Sequence, residues 1–511
     1  MSDSQISFDE AKLTKYRELQ EAGLTLYPAH YERKQTLGEI KETFAEIGHD
    51  QSEEEVVTAG RIYALRHHGK TIFIDIGDAS ARMQLYVRKN DVGDEPFEFI
   101  KKYLDAGDII GATGHVFRTK MGEITVWVSR FDLLTKSVCP MPEKFHGLKN
   151  TEQRYRHRYL DLIMNEESRQ TFRTRSHAIA GLRNFLNGRG FMEFETPTLQ
   201  SVYGGANARP FITYHNALEQ QLFLRIAPEL YLKRLVVGGF EKVYEIAKNF
   251  RNEDIDTHHN PEFSMVEIYA AYHDYEDMMN LTEEVITHLV ESALGTTTVT
   301  FAGNEISFAR PWRRLSMEDA VKEYGGIDVY ATPLDELARI AEKEGVEKCE
   351  TAQTHGDYLP LFFDHYCEEK LIQPTFIYDF PVENSPLAKR HRSKPGFTER
   401  FELFVNGMEL ANGFSELNDP IDQKQRFEEQ DAKRRLGDLE AQMIDYDFVN
   451  ALGYGMPPTG GVGIGIDRLV MLITGNDSIK EVILFPSMRT IATQGGEAEA
   501  EESDEPEEKQ E

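Results

Sequence analysis

The chain has 511 residues, 40% of them hydrophobic and 28% charged, with a formal net charge of −30. That length suggests roughly two to four domains, and the composition is that of an ordinary soluble globular protein with ample chain for a core. No run of about 18 apolar residues is available to span a membrane, the polar start MSDSQISFDEAKLTK lacks the basic-then-apolar order of a secretory signal, and so acidic a chain is excluded from binding nucleic acid indiscriminately, though not through local basic patches.

Residues 1–55 read as a helical extension, with helix-favouring stretches such as KLTKYRELQEAG. The period then changes. VVTAGRIYALR, KTIFIDI and RMQLYVR read as three short strands, EPFEFIKKYLDAGD as a helix stopped at Gly107, and DIIGATGHVFRT and EITVWVSRFDLLTK as two more strands. Three strands, a helix and two strands over residues 56–138 is the order of a five-stranded OB barrel, whose face either binds single-stranded nucleic acid or serves as a spacer. CPMPEKFHGL marks a linker over residues 139–150. Residues 151–490 mix helices with long strands adjacent in sequence, so an antiparallel sheet is expected and the fold class is α+β. A helix runs from Glu167 to Gly190, with Ile179, Leu182, Phe185 and Leu186 on or near one face. The acidic tail over 491–511 has no apolar anchor and is expected to be disordered. Cys139, Cys349 and Cys367 form no C-x-x-C pair and no zinc spacing, which points to a reduced, cytoplasmic compartment.

Chemistry gathers in four segments. KVYEIAKNFRNEDIDTHHNPEFSMVEIYAAY is two strand-like runs joined by a polar loop. Arg251 and Glu253 are two apart and are expected to share a strand face, as are Glu267 and Tyr269. Beside His259 and Asn260 this suits a phosphate-bearing ligand, or else a surface ladder of salt bridges. In RFELFVNGMELANGFSELND, Asn406-Gly407 is the preferred pair for a two-residue hairpin turn. Val405 then pairs with Met408 and Phe404 with Glu409, so Glu402 and Glu409 are diagonal neighbours on one face. Two such carboxylates suit magnesium held also by phosphates, or are solvated acids. Asn412, Phe414 and Glu416 have the opposite parity, and either face another layer or are turned by a bulge at Gly413. In PPTGGVGIGIDRLVMLITG, Gly461, Gly463 and Gly465 sit in a strand before an amphipathic helix opened by Asp467 and Arg468, where glycine admits close approach. In LRIAPELYLKRLVVGG a helix starts at Pro228, and Glu229 in its first turn complements the helix dipole.

Together these segments resemble the class II aminoacyl-tRNA synthetases. Residues from about 167 to 197, ending RGFMEFETP, resemble the first signature motif, a dimer-interface helix and strand with Pro197. NFRNE with the loop to HHNPEF resembles the second, and GVGIGIDRL the third. An OB domain in front resembles subclass b, which covers lysine, aspartate and asparagine. GGANARPF, RIAPELYLKRL and NGFSELND resemble lysyl-tRNA synthetases of bacterial type. The likeness runs to about Arg489.

The resemblance implies a two-step ligase that activates L-lysine with ATP and transfers it to the 3′ end of tRNA(Lys). It implies a homodimer, magnesium (more than one ion per subunit) and no zinc. Arg251 would hold the α-phosphate and, with Arg468, act in catalysis. Glu253 would read the adenine edge, His259 and Asn260 lie by the triphosphate, and Phe263 and Arg468 sandwich the adenine. Glu402 and Glu409 would hold the metal. Lysine would be held by Gly205, Glu229, Glu267, Tyr269, Asn412, Phe414, Glu416 and Gly463. Phe73 and Gln84, with Arg61 and Glu123, would contact the anticodon. His258 stands where the family usually has Arg, which bears on how the loop grips the triphosphate. Met408-Glu409-Leu410-Ala411 replaces Arg-Glu-Ile-Gly but keeps the ligand. The rival readings are an aspartyl or asparaginyl enzyme, which would present cations to its substrate's side chain, a lysyl-transferring paralogue that modifies a protein, which would lack the barrel, and an inactive RNA-binding paralogue.

Overall fold

The computed structural model describes residues 8–142, 148, 150–435, 437 and 440–489. The tail expected over 491–511 and half of the expected linker, residues 143–147 and 149, lie outside those residues. The chain divides into two compact units, the first within residues 1–147 and the second spanning Leu148–Arg489.

The first unit opens with α1 (Glu10–Glu21), whose first turn is capped by the Asp9 carboxylate accepting the Lys12 N–H at 3.0 Å. A capping box of Thr36 and Glu39 starts α2 (Leu37–Thr43). Strands β1 (Glu55–His68), β2 (Thr71–Gly77), β3 (Arg82–Arg88), β4 (Ile109–Arg118) and β5 (Ile124–Thr135) close into a barrel in the order β1-β2-β3-β5-β4. Alternation builds it: Ile72, Ile74 and Ile76 of β2 are buried while Phe73 and Asp75 between them are not. Phe97 and Ile100 of α3 (Asp94–Tyr103) join the barrel core. The expected order of three strands, a helix and two strands is therefore the observed one.

The second unit is built on an eight-stranded sheet. The elements that form the sheet and position the site are α4 (Glu166–Gly188), β6 (Met192–Glu193), α5 (Glu229–Val237), β7 (Lys242–Phe250), β8 (Glu262–Ala271), α6 (Tyr275–Leu294), β9 (Arg313–Ser316), β10 (Thr375–Pro381), β11 (Phe397–Val405), β12 (Met408–Ser415), β13 (Thr459–Gly465) and α7 (Ile466–Thr474). The strand order is β9-β10-β11-β12-β13-β8-β7-β6. All neighbours are antiparallel except the two edge pairs, β9 with β10 and β7 with β6. One face of the sheet, carrying Val266, Ile268, Val462 and Ile464, packs against α4, α6 and α7 through Leu182, Leu186, Met278, Ile286, Val470 and Leu472. The opposite face is left for chemistry. Helix α4 covers the expected segment, with Leu182, Phe185 and Leu186 buried and Ile179 partly so. It ends at Gly188, and Gly190 beyond it takes φ +80°.

Two local expectations are corrected. Strand β7 ends at Phe250, so Arg251 and Glu253 do not share a strand face. They begin an irregular loop, pinned where the Arg251 N–H donates to the Pro261 carbonyl at 2.9 Å. The hairpin of β11 and β12 does turn at Asn406-Gly407, both at positive φ, and pairs Val405 with Met408 and Phe404 with Glu409. Its bulge is not at Gly413. Ala411 pairs with Leu403 and Glu409 with Phe404, which leaves Leu410 as the extra residue. That one insertion brings Asn412 and Phe414 onto the face of Glu409.

Candidate functional site

Strand register lays the site down in rows across the open face of the sheet. Glu245, Glu267, Gly463, Asn412 and Glu402 are successive cross-strand partners from β7 to β11. Tyr269, Gly461, Phe414 and Arg400 form a second row. Glycines alternating along β13 leave no side chain in the middle of these rows. A Cβ on Gly463 would come within 2.8 Å of the Met265 methyl, and one on Gly461 would strike the Glu416 carboxylate and the Tyr269 ring. The result is a cavity of about 390 Å³. All sixteen residues that the resemblance assigned to nucleotide, metal or amino acid line it: Gly205, Glu229, Arg251, Glu253, His259, Asn260, Phe263, Glu267, Tyr269, Glu402, Glu409, Asn412, Phe414, Glu416, Gly463 and Arg468.

One end of the cavity is acidic and buried. Glu229 opens α5, and Gly205, at φ +91°, lies so close that a Cβ there would meet the Glu229 Cβ at 3.0 Å. Tyr269 donates its hydroxyl to Glu267 Oε2 at 2.8 Å. Burial, then the charge of Glu229, pushes the Glu267 carboxyl up to about 8. Burial also raises Glu229 and Glu416, against the opposing pull of Lys233. The Lys233 side chain is fully buried behind them, its ammonium 2.5 Å from Glu229 Oε1 and in contact with Glu416 Oε2. Burial alone would lower its pKa, but the two carboxylates outweigh that and hold it above the usual lysine range.

Midway along the cavity stand Glu402 and Glu409. The Asn412 amide reaches both, donating to Glu402 Oε1 at 3.0 Å and to Glu409 Oε1 at 3.4 Å. Arg400 donates to the same Glu402 oxygen at 2.6 Å. Burial, and next the charge of Glu409, push Glu402 up to about 8. Two hard oxygen donors that repel each other in a half-enclosed site fit magnesium shared with phosphate oxygens.

The far end is cationic. The Arg251 guanidinium lies over the Phe263 ring, 5.0 Å from its centroid, and its Nε has no hydrogen-bond partner among the described residues. Arg468 donates to the Glu409 carbonyl at 2.6 Å and to His259 Nε2 at 2.9 Å. His259 therefore carries its proton on Nδ1, which donates to Asp256 at 2.8 Å. Asn260 is buried and tied to the Glu262 carbonyl at 2.5 Å, whereas Glu253 is exposed in the loop. Asp467 accepts the Ser264 N–H at 2.6 Å and pairs with Arg175 of α4 at 2.5 Å, which anchors the helix that presents Arg468. The substituted His258 is half-buried, and burial, then the charge of Arg468, lower its pKa. Two side chains went unnoticed in the sequence. Arg400 shares the strand face of Glu402 two residues on, a parity signal that was available. Lys233 lies one helical turn after Glu229, where a surface salt bridge was the ordinary expectation.

On the barrel, Phe73 pairs across the sheet with Arg66 and Tyr86. Its ring is 5.2 Å from that of Tyr86, which is 4.8 Å from Trp127 and 5.8 Å from Phe117. These four half-buried aromatics form an outer-face patch of which the sequence reading named only Phe73. Gln84 lies along the same strand face, with Thr125 donating to it at 3.5 Å, and Glu123 is exposed nearby in sequence. Arg61 is not brought to the patch. It pairs with Gly77, four residues along β2 from Phe73, and donates to the Gly107 carbonyl at 2.8 Å.

A family model described as tRNA synthetases class II (D, K and N) matches residues 150–489, and one described as OB-fold nucleic acid binding domain matches residues 56–134. The chain is 70% identical to a lysine–tRNA ligase of Methanoculleus marisnigri over 97% of its own length and 98% of that protein. It is 62% identical to one of Methanospirillum hungatei, over 97% and 98% of the two chains. To one of Carboxydothermus hydrogenoformans it is 52% identical, over 94% and 97%.

Proposed function

Since the chain belongs to the class II tRNA synthetases of the D, K and N group, we propose that it is a lysine–tRNA ligase, which activates L-lysine with ATP and transfers it to the 3′ end of tRNA(Lys). The acid-lined end of the cavity carries the choice of amino acid. An aspartate side chain would need a free cation there, yet Lys233 is held by two carboxylates and Arg400 by Glu402, and a neutral asparagine amide would bring no positive charge to these acids.

In the first step a lysine carboxylate oxygen attacks the α-phosphorus of ATP in line, and pyrophosphate leaves. The protein contributes position and charge rather than a covalent intermediate. Glu229 and Glu416 fix the lysine side chain while Tyr269 and Phe414 shape the channel for its methylenes. Arg251, with an unengaged Nε, meets the negative charge that grows on the reacting phosphoryl group. Arg468 exchanges its His259 contact for the adenine and phosphates. Glu402 and Glu409 would hold magnesium, more than one ion, which when bound supplies positive charge against the phosphates. In the second step a ribose hydroxyl of the terminal adenosine attacks the carbonyl of lysyl-adenylate and AMP leaves.

The aromatic patch around Phe73, with Gln84 and Glu123, is the anticodon-reading face in this proposal, because unpaired bases stack on such rings. A homodimer forms through α4 and the segment to Pro197. Exposed Met192, Leu199, Ile212 and Tyr214, in and just beyond that segment, support this face. The division into an extension, barrel, linker, catalytic domain and acidic tail, and a cytoplasmic location, complete the reading. Amino-acid-dependent pyrophosphate exchange tests it. Exchange with lysine but not aspartate or asparagine is expected, and exchange with either of those, or with none, refutes it.

A further inference from the structure

We propose that Lys233 is a resident counter-ion that sets the charge of the amino-acid pocket, occupying one oxygen of Glu229 and one of Glu416 so that the pocket admits one further positive charge. This rests on the lysine reading above and concerns a residue that touches the substrate's partners rather than the substrate.

Three observations carry it. First, Lys233 does not line the cavity. It lies behind the acids with no exposed side-chain surface, walled by the rings of Phe414 and Phe448 at 5.2 and 5.9 Å from its ammonium. A lysine seated there is neither solvated nor mobile, so its charge is a fixed part of the pocket. Second, its contacts are divided. One Glu229 oxygen and one Glu416 oxygen face Lys233, while Glu416 Oε1 has no hydrogen-bond partner among the described residues and lies over Gly461, in the cavity wall. A fully buried carboxylate oxygen without a donor is costly unless a ligand supplies one. Third, the charges leave a remainder of one. Two carboxylates, those of Glu229 and Glu416, hold the single ammonium of Lys233 between them. An incoming ε-ammonium closes that balance.

Without Lys233 the same acids would face each other in a buried site and take up protons, as like-charged buried carboxyls do. A protonated acid no longer demands a cation. The groups acting on Lys233 are Glu229 on its own helix, then Glu416 and Glu267, while Tyr269 and Arg400 act on those acids and not on Lys233. Removing its charge therefore makes lysine binding depend on pH, because protons must leave before the ammonium can be accepted.

The test is lysine-dependent pyrophosphate exchange on the full-length protein, wild type against Lys233→Met. The variant's KM for lysine should rise on the order of a hundredfold at pH 7, the scale set by stripping one partner from a buried ion pair. It should then fall much more steeply than the wild-type value as the pH is raised to 9, while at each pH the KM for ATP is nearly the same in the two proteins. A lysine KM within about threefold of wild type across that pH range would overturn the proposal, as would a large rise that pH does not relieve. Lys233→Ala supplies an arm that does not depend on the methionine variant folding. Its folded yield on refolding, and its exchange activity, should be restored by n-propylammonium and not by n-propanol, which fills the same volume without charge. Equal restoration by both would reduce Lys233 to a packing residue. If the wild type itself exchanged with another amino acid and not with lysine, the underlying reading would fall, which is distinct from an unaltered Lys233→Met acting on lysine.

Discussion

Arg251 offers the cleanest separation of catalysis from stability. In the ligand-free protein its guanidinium is a burden: burial lowers its pKa, Glu253 and Glu409 only partly offset that, and Arg468 adds repulsion. Its Nε makes no hydrogen bond among the described residues, and its main stabilising contact is with the Phe263 ring 5.0 Å away. A cation over an aromatic face contributes about 0.5–1 kcal/mol at a site of this kind, which relief of a poorly solvated charge offsets. Arg251→Ala should therefore leave Tm at or above the wild-type value. With ATP bound the account reverses. Loss of one preorganised charge aimed at the reacting phosphate costs about 3 kcal/mol of transition-state stabilisation, roughly a hundredfold in kcat. Lysine-dependent pyrophosphate exchange at saturating substrates, beside calorimetry of the same preparation, measures both. Exchange within about threefold of wild type would place Arg251 away from the reacting phosphate. A clear drop in Tm would show that its role is to hold the fold.

Glu267→Gln should change how stability varies with pH. The native carboxyl keeps its proton to about 8, whereas the unfolded one releases it near 4.5. Its contribution to stability therefore falls as pH rises between those values, and the glutamine variant, lacking that fall, should gain on wild type by on the order of 4 kcal/mol between pH 4 and pH 8. Superimposable pH–Tm curves would refute the assignment. Phe73→Ala should weaken tRNA charging by about 1–3 kcal/mol per lost stack while leaving pyrophosphate exchange unchanged, and equal losses in both assays would mark Phe73 as a structural residue of the barrel. Sedimentation at micromolar concentration should give a single species of two 58.6 kDa chains, and Ile212→Asp should shift it to a monomer. A fully active wild-type monomer would remove α4 and its flanking segment as the interface.

Much of this was legible because it depended on local rules. Asn406-Gly407 set a turn, the turn set a register, and the register placed Glu402 near Glu409 before any fold was known. The barrel followed from alternation and from the order of its elements. What escaped were features decided by tertiary packing. Nothing local distinguishes a bulge at Leu410 from one at Gly413, since the choice reflects which of Leu410 and Ala411 can be buried together against the helices. The strand expected to carry Arg251 and Glu253 stops at Phe250, because the run RNEDIDTHHN after it offers a single apolar residue, Ile255, and no alternating set to bury on either face. Arg61 was suggested by the resemblance alone, with no local signal behind it, and the fold pairs it with Gly77 beside a bulge between Ile62 and Ala64, where it donates to the Gly107 carbonyl. Lys233 was legible as a helix residue and illegible as a buried charge.

The central strand of the sheet is also among the last to be made. β13 spans Thr459–Gly465 yet sits between β8, which ends at Ala271, and β12, which ends at Ser415. While the chain is being synthesised, the two halves of the sheet exist for a long interval with the edges of β8 and β12 unpaired, and unpaired edges invite association with other chains. A nascent chain broken off before Thr459 would have every acid of the pocket and no floor to hold them in register. Completion of the active site thus waits on the last strand of the sheet in chain order, so the molecule that supplies amino acids to ribosomes cannot begin to work until Thr459–Gly465 has been made.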